Sequence, residues 1–283
     1  MQTSFSELEY AAKKKQTRRD IFLKQIEQIT PWLSLTQVIA PHYPNTGGRG
    51  RPPIGLERML RMYLAQQCFG LSDEATEDAR YDSQAIRHFV GIDLNSEAAP
   101  DATTLLKFRH LLEEHPLTES IFNAINAHLS EKGLFLREGT IVDATLIAAP
   151  PSTKNKEGKR DSDMHSSKKG HQWHFGMKAH MGVEKREENL ELPVTWHVAM
   201  RPSQRRALAK TTEAEWLASL EHTKASIRAK VEHPFHVVKT LFRHRKARYR
   251  GLAKNTAQLF SLFGFANLLL ARRWLNRHTQ VAT

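Results

Sequence analysis

The sequence predicts a chain of mixed α+β or α/β class, with an α-helical N-terminal region over residues 1–135 and a domain of strands and helices over 136–283. Three observations carry this division. Apolar residues recur at helical spacing in most segments up to Gly133. A β-branched run then follows at Thr140–Ile147, with polar and apolar residues alternating at Trp173–Val183 and again over Leu192–Met200. From about Thr212 the helical pattern returns and holds to the C-terminus.

The elements follow in order. Basic residues Lys13, Lys14, Lys15, Arg18 and Arg19 lead into a helix whose apolar positions are Phe22, Ile26, Ile29 and Leu33. Gly47–Pro53 reads as a loop, because glycines loosen the backbone and two prolines bar helix entry until Ile54. An amphipathic helix follows, with Leu56, Met59, Leu60, Tyr63 and Leu64 on one face. Ser72 is placed to cap the next helix. Pro100–Arg109 opens another, with Leu105, Phe108, Leu111 and Leu112 as its stripe, and Phe122, Ile125 and Leu129 continue the pattern. Thr140–Ile147 is the first expected strand, and the polar stretch Pro150–Lys169 reads as a loop.

Bulk properties narrow the function. The 283 residues carry a formal charge of +12, with pI near 9.9. Such a charge points to a polyanion, and DNA or RNA comes first, because neutralising phosphates releases counterions. A single cysteine, Cys68, can form no intrachain disulfide, which suits a reducing compartment. The N-terminus has early acids and no apolar core of a signal peptide. The stretch Leu259–Ala271 is interrupted by Ser261, Gly264 and Asn267 and falls short of the ~20 residues a membrane span needs. A soluble, cytoplasmic protein without a membrane partner is expected. Gly47–Arg51 lacks the phosphate-loop pattern, so an NTP-driven reaction has no support. His165, His171, His174 and His180 lack the four N/S ligands at set spacings that structural zinc requires, and read as polar or phosphate-contacting residues.

Two carboxylates carry the chemistry. Asp143 sits within an apolar strand run, sharing its parity with Ile141, Thr145 and Ile147. An ionised carboxylate buried there needs a counter-charge, and a divalent cation supplies one. Asp143 as a turn cap at a strand end is the plainer reading. Glu232 lies in a helical run with Arg228 four residues before and Lys239 seven after, steps that place all three on one helix face. An ordinary solvated ion-pair face is the plainer reading here. Residues 224–254, however, contain ten Lys or Arg and one acid, Glu232. The expectation is that Asp143 and Glu232 bind metal while Arg228 and Lys239 hold phosphates. Phe235, Phe242 and Tyr249 read as packing residues.

These motifs resemble a DDE transposase of the insertion sequence five family over nearly the whole chain. Arg51–Pro53, Leu56–Leu60, Leu71–Asp73 and Pro100–Leu105 ahead of Phe108 and Arg109 look like the family's helical N-terminal region. Val142–Thr145 looks like its first catalytic strand, and Ser152–Lys156 with Lys168–His180 like the loop and second strand. Arg228, Glu232 and Lys239 match the signature helix, although the Tyr that often precedes that Arg by three is Ala225 here. The resemblance implies an RNase H-like domain and a two-metal magnesium site with Asp143 and Glu232 as catalytic ligands. It also implies DNA contacts from Arg228, Lys239, Lys168, Lys169 and Lys178, and a homo-oligomer on transposon ends and target DNA.

The family's middle Asp has no counterpart. No Asp occurs after Asp163, and Val183 runs straight into Glu184. The expectation is a truncated RNase H-like domain with a segment missing near 183–184, and impaired transposition. Glu184, Glu187, Glu188, Asp161 and Asp163 read as surface residues rather than replacements. The alternative is a catalytically inactive DNA-binding remnant, acting as an inhibitor or without function. A plain basic structural protein would require Asp143 and Glu232 to lie far apart.

Overall fold

A computed structural model describes residues 10, 12–44, 53–94, 100–134, 141–151, 158–183, 200–201, 203–204, 207, 212–229 and 232–279. The side chains of Asp143, Lys169 and Arg228 fall outside that description, as does the expected strand Leu192–Met200 apart from Met200.

Among the described residues, seven α-helices precede the sheet: α1 (Arg18–Ile29), α2 (Trp32–Ile39), α3 (Leu56–Phe69), α4 (Asp73–Asp82), α5 (Gln84–Val90), α6 (Ala102–Glu114) and α7 (Leu117–Glu131). Local chemistry sets their limits. Thr17 and Asp20 form a reciprocal capping box on α1. Pro31 ends that helix, since the residue before a proline is barred from the helical region. Leu33 therefore does not extend the α1 stripe; it starts a new helix and is 72% exposed. Ser72 caps α4 as expected, accepting from Ala75 N at 3.0 Å. Asp101 caps α6 by accepting from Thr104 N at 2.7 Å, and the Thr104 hydroxyl and amide hold its carboxyl down to about 2. Helix α3 is more than amphipathic: Met59 through Cys68 are all buried, except Arg61, so it forms the centre of the helical layer.

Among the described residues the sheet has three antiparallel strands, β1 (Ile141–Ala148), β2 (His165–Lys169) and β3 (Gln172–Val183), in the order β1–β3–β2. Residues 165–169 thus form a strand where the polar sequence suggested loop; pairing with β3 overrides the composition. Gly170 takes a left-handed backbone, φ 62°, at the first position of the two-residue β2–β3 turn, as primed hairpin turns need. At Gly176 a Cβ would overlap the Ile147 carbonyl oxygen, so only glycine lets β1 and β3 approach there.

After the sheet come α8 (Thr212–Ala229), α9 (Glu232–His236), a π-helical turn (Val237–Leu241) and α10 (Leu252–Thr279). Among the described residues from Thr212 onward, only 242–251 are non-helical. Helix α10 has 28 residues, about 42 Å at 1.5 Å per residue. It packs on α7, with Gly264 set against Phe122 and Ile125, and on α1 and α3. Buried residues from the N-terminal helices, the sheet and α10 form one continuous apolar cluster.

His244 is 2% exposed, and neither ring nitrogen finds a hydrogen-bond partner among the described residues. Burial, helped by the Arg248 charge, lowers its pKa from 6.5 to about 4. The unfolded chain therefore binds this proton at a higher pH than the folded chain does. The neutral ring's stability is fully present above pH 6.5 and is lost as pH falls toward 4. We expect His244→Phe to hold or raise stability at pH 7 and to remove part of the acid limb, on the order of 2–4 kcal/mol. Urea unfolding at pH 7.0 and 4.5 measures both.

Candidate active site

The site is organised around the outer edge of β1. One edge pairs with β3 along its length, with Asp143 in register with Met181, Leu146 with Lys178 and Ala148 with Gly176. The other edge is met by the chain after α9. Lys239 Nζ donates to the Leu146 carbonyl at 2.7 Å, although 93 residues separate them. Ala247 N donates to the Ala148 carbonyl at 2.8 Å, in an isolated parallel bridge between Ala148 and Lys246. Helix α8 also packs against β1.

Local chemistry makes this possible. Pro234 sits in the first turn of α9, where its missing N–H has no intrahelical partner to lose. Phe242 N bonds back five residues to Val237 O at 2.9 Å, widening the turn that carries Lys239. Phe235, Val237, Val238 and Phe242 are buried, which leaves Glu232, His233 and His236 exposed and Lys239 half-buried.

The expected site residues fall into two groups. Arg228 lies in the last turn of α8, Glu232 opens α9 with an exposed carboxylate, and Lys239 reaches the strand that carries Asp143. Lys178 is exposed on β3, three positions from the Met181 that faces Asp143. Lys168 and Lys169 are elsewhere: they pair with Trp173 and Gln172 at the hairpin tip, about 26 Å along β3 from Met181 at ~3.3 Å per residue. Phe235 and Phe242 are packing residues as expected, and Tyr249 is half-buried beneath the Arg109 guanidinium, 4.7 Å from its ring centre.

The described acids near the site have other duties. Asp161 accepts from Gly251 N at 2.8 Å, and Asp163 accepts from Leu252 N at 3.0 Å. Together they cap α10 and place negative charge at its N-terminus, where the helix dipole favours it. Glu221 is buried, accepts from Met200 N at 2.6 Å and pairs with Lys224 at 2.8 Å. Among the described residues, no three His, Cys, Asp or Glu side chains gather as a metal site. Glu184, Glu187 and Glu188 lie outside the described residues.

Sequence reasoning missed the Asp161–Asp163 cap, since its partners are 90 and 89 residues away. It also missed how the basic run fastens to the N-terminal helices. Arg248 donates to the carbonyls of Gly70 and Leu71 at 2.8 and 3.0 Å. Arg109, stacked on Tyr249, pairs with Asp73 at 2.8 Å. Arg243, Arg245, Lys246 and Arg250 remain exposed beside this anchor.

Lys239→Met keeps the aliphatic stem and removes the charged donor to Leu146 O. We expect a loss of roughly 1–3 kcal/mol, the cost of stranding a partly buried carbonyl, with Lys239→Arg losing less. Denaturant midpoints of the three proteins check this.

Two family models match the chain. Residues 10–111 match the Transposase domain (DUF772), and residues 186–268 match the Transposase DDE domain. The second match contains Glu232 and Lys239 and begins after β3, so Asp143 precedes it. No solved structure matches the chain. The chain thus carries a transposase domain in its helical N-terminal region and a Transposase DDE domain that runs from before α8 into α10.

Proposed function

We propose that the chain is an insertion-sequence transposase of the insertion sequence five type, which binds transposon ends and target DNA as a homo-oligomer in the cytoplasm. The observation that carries this reading is the Lys239 contact with Leu146 O, which ties the helix of Glu232 to the strand of Asp143. Residues 1–135 serve as the DNA-binding region and 136–283 as an RNase H-like domain.

Oxygen donors suit a hard cation such as magnesium, and Asp143 and Glu232 are the pair that would hold it. The bound metal would supply activation of water for cleavage and of a 3′-hydroxyl for joining. The protein's own groups act on the DNA backbone. Exposed Glu232 lies beside His233, His236 and Lys239, so the approaching phosphate meets a basic surround. Lys239, tethered by Leu146 O, and Arg228 fix phosphate register without reading sequence. Lys178 extends this basic surface along β3, and Lys168 and Lys169 serve DNA further out.

This copy lacks the family's middle Asp, and a segment near 183–184 is missing. Asp161 and Asp163 cap α10, so neither substitutes for it. Two cations close together carry four positive charges that two carboxylates offset only in part, so the paired clamp on attacking and leaving oxygens is weak. The reading therefore includes impaired catalysis with retained DNA binding.

Two outcomes follow. Purified protein with magnesium and end-bearing DNA should show little or no cutting and joining; robust activity abolished by Asp143→Ala would show that another acid fills the role. DNA affinity should fall steeply with salt, each neutralised phosphate adding about −0.9 to the log–log slope, and should survive Glu232→Gln. A flat salt response or no binding at low salt would contradict a nucleic-acid partner.

A further inference from the structure

The tip of the β2–β3 hairpin lies away from the edge of β1 around which the site is organised. It carries Trp173, a large apolar side chain that is 69% exposed. Burying an indole is among the larger stabilising contributions a side chain can make, so the exposed ring is a face that a stacking ligand can cover. The ladder shows how it comes to be exposed. Trp173, Phe175, Met177 and Ala179 alternate along one side of β3. Met177 and Ala179 are buried, Phe175 is half-buried and Trp173 is open, so the apolar stripe runs out of the core into solvent.

Cations accompany the stripe as it emerges. The Arg160 guanidinium lies 5.5 Å from the Phe175 ring centre. Lys168, directly across the ladder from Trp173, holds its ammonium 5.9 Å from the indole. His171 at the turn is exposed, and Met164–Val183 contains no Asp or Glu. A protein partner would favour an apolar surface with mixed charges around it. Flat aromatic faces edged by cations, on a hairpin that carries no acid of its own, match instead a strand that offers π-faces and phosphates together; Asp161 and Asp163 beside Arg160 are taken up in capping α10.

We propose that the hairpin tip is a DNA contact in its own right, in which Trp173 stacks on an unpaired base while Lys168 and Arg160 hold the flanking phosphates. It rests on the DNA-binding reading above and deepens it. The base must be unpaired, because inside a closed duplex both its faces are already stacked. At roughly 26 Å along β3 from the position of Asp143, the tip would grip a single-stranded segment away from the reacting phosphate.

The experiment uses the full chain and two DNA probes: a blunt duplex, and the same duplex with a short single-stranded overhang carrying 2-aminopurine. Binding is read by anisotropy and stacking by quenching of the 2-aminopurine. The wild type should prefer the overhang by ~10-fold or more, as stacking one base on an aromatic side chain allows, and should quench the probe. Trp173→Ala should lose both while keeping blunt-duplex affinity, and Trp173→Phe should retain part of each. Because Trp173 is open, neither substitution disturbs the core. Blunt-duplex binding with overhang preference and quenching unchanged in Trp173→Ala would overturn this inference and leave the DNA-binding reading intact. Absence of binding to either probe by the wild type would overturn both.

Discussion

The outer edge of β1 is the constraint on which the rest of this molecule depends. A strand edge presents carbonyls and amides that must be paired or solvated. Here the two carbonyls at its C-terminal half are met by one stretch of chain, Leu146 O by Lys239 and Ala148 O by Ala247. Because both acceptors lie on the strand of Asp143, satisfying them draws the signature helix to that strand. Stranding either carbonyl would cost about 1–3 kcal/mol, so the geometry near the candidate site is maintained by folding energetics and not by a ligand.

The same stretch then fastens the two transposase regions to each other. Past Ala247, Arg248 crosses to the carbonyls at the end of α3, Tyr249 receives the Arg109 guanidinium, and Gly251 and Leu252 are caught by Asp161 and Asp163. Asn255, fully buried, closes the turn by donating to Tyr249 O and Gly251 O at 2.7 Å each. Helix α10 then runs back over the N-terminal layer, with Tyr63 donating to Ser261 and Gln258 to Gln67. The segment richest in basic residues is thus also a structural strap. Arg248 is committed to holding the fold, while Arg243, Arg245, Lys246 and Arg250 stay exposed at a fixed position on its surface.

Much of this was legible in the sequence where the cause is local. The cap at Ser72 follows from residue type, and the helical stripes and the strands at 141–148 and 172–183 follow from periodicity. What was not legible depends on distant partners. Leu33 joined the α1 pattern on paper because spacing alone does not register the break at Pro31. Residues 165–169 are too polar to announce a strand and become one only against β3. Asp161 and Asp163 resembled solvated surface acids, since nothing nearby in sequence marks the start of α10 as their target. The spacing of Arg228, Glu232 and Lys239 suggested one helix face, but the three residues lie in α8, α9 and the π-helical turn, and the use of Lys239 as a tether to a strand carbonyl has no one-dimensional signature.

The central proposal is that, with this stretch docked on β1, Asp143 and Glu232 bind one divalent cation between them. Manganese binding followed by electron paramagnetic resonance tests it most directly, in the wild type, Asp143→Ala, Glu232→Ala and the double variant. Groups that share an ion are strongly non-additive. Either single substitution should therefore abolish the tight manganese signal, and the double should add little. Independent, additive losses, or tight binding that persists in both single variants, would contradict the account.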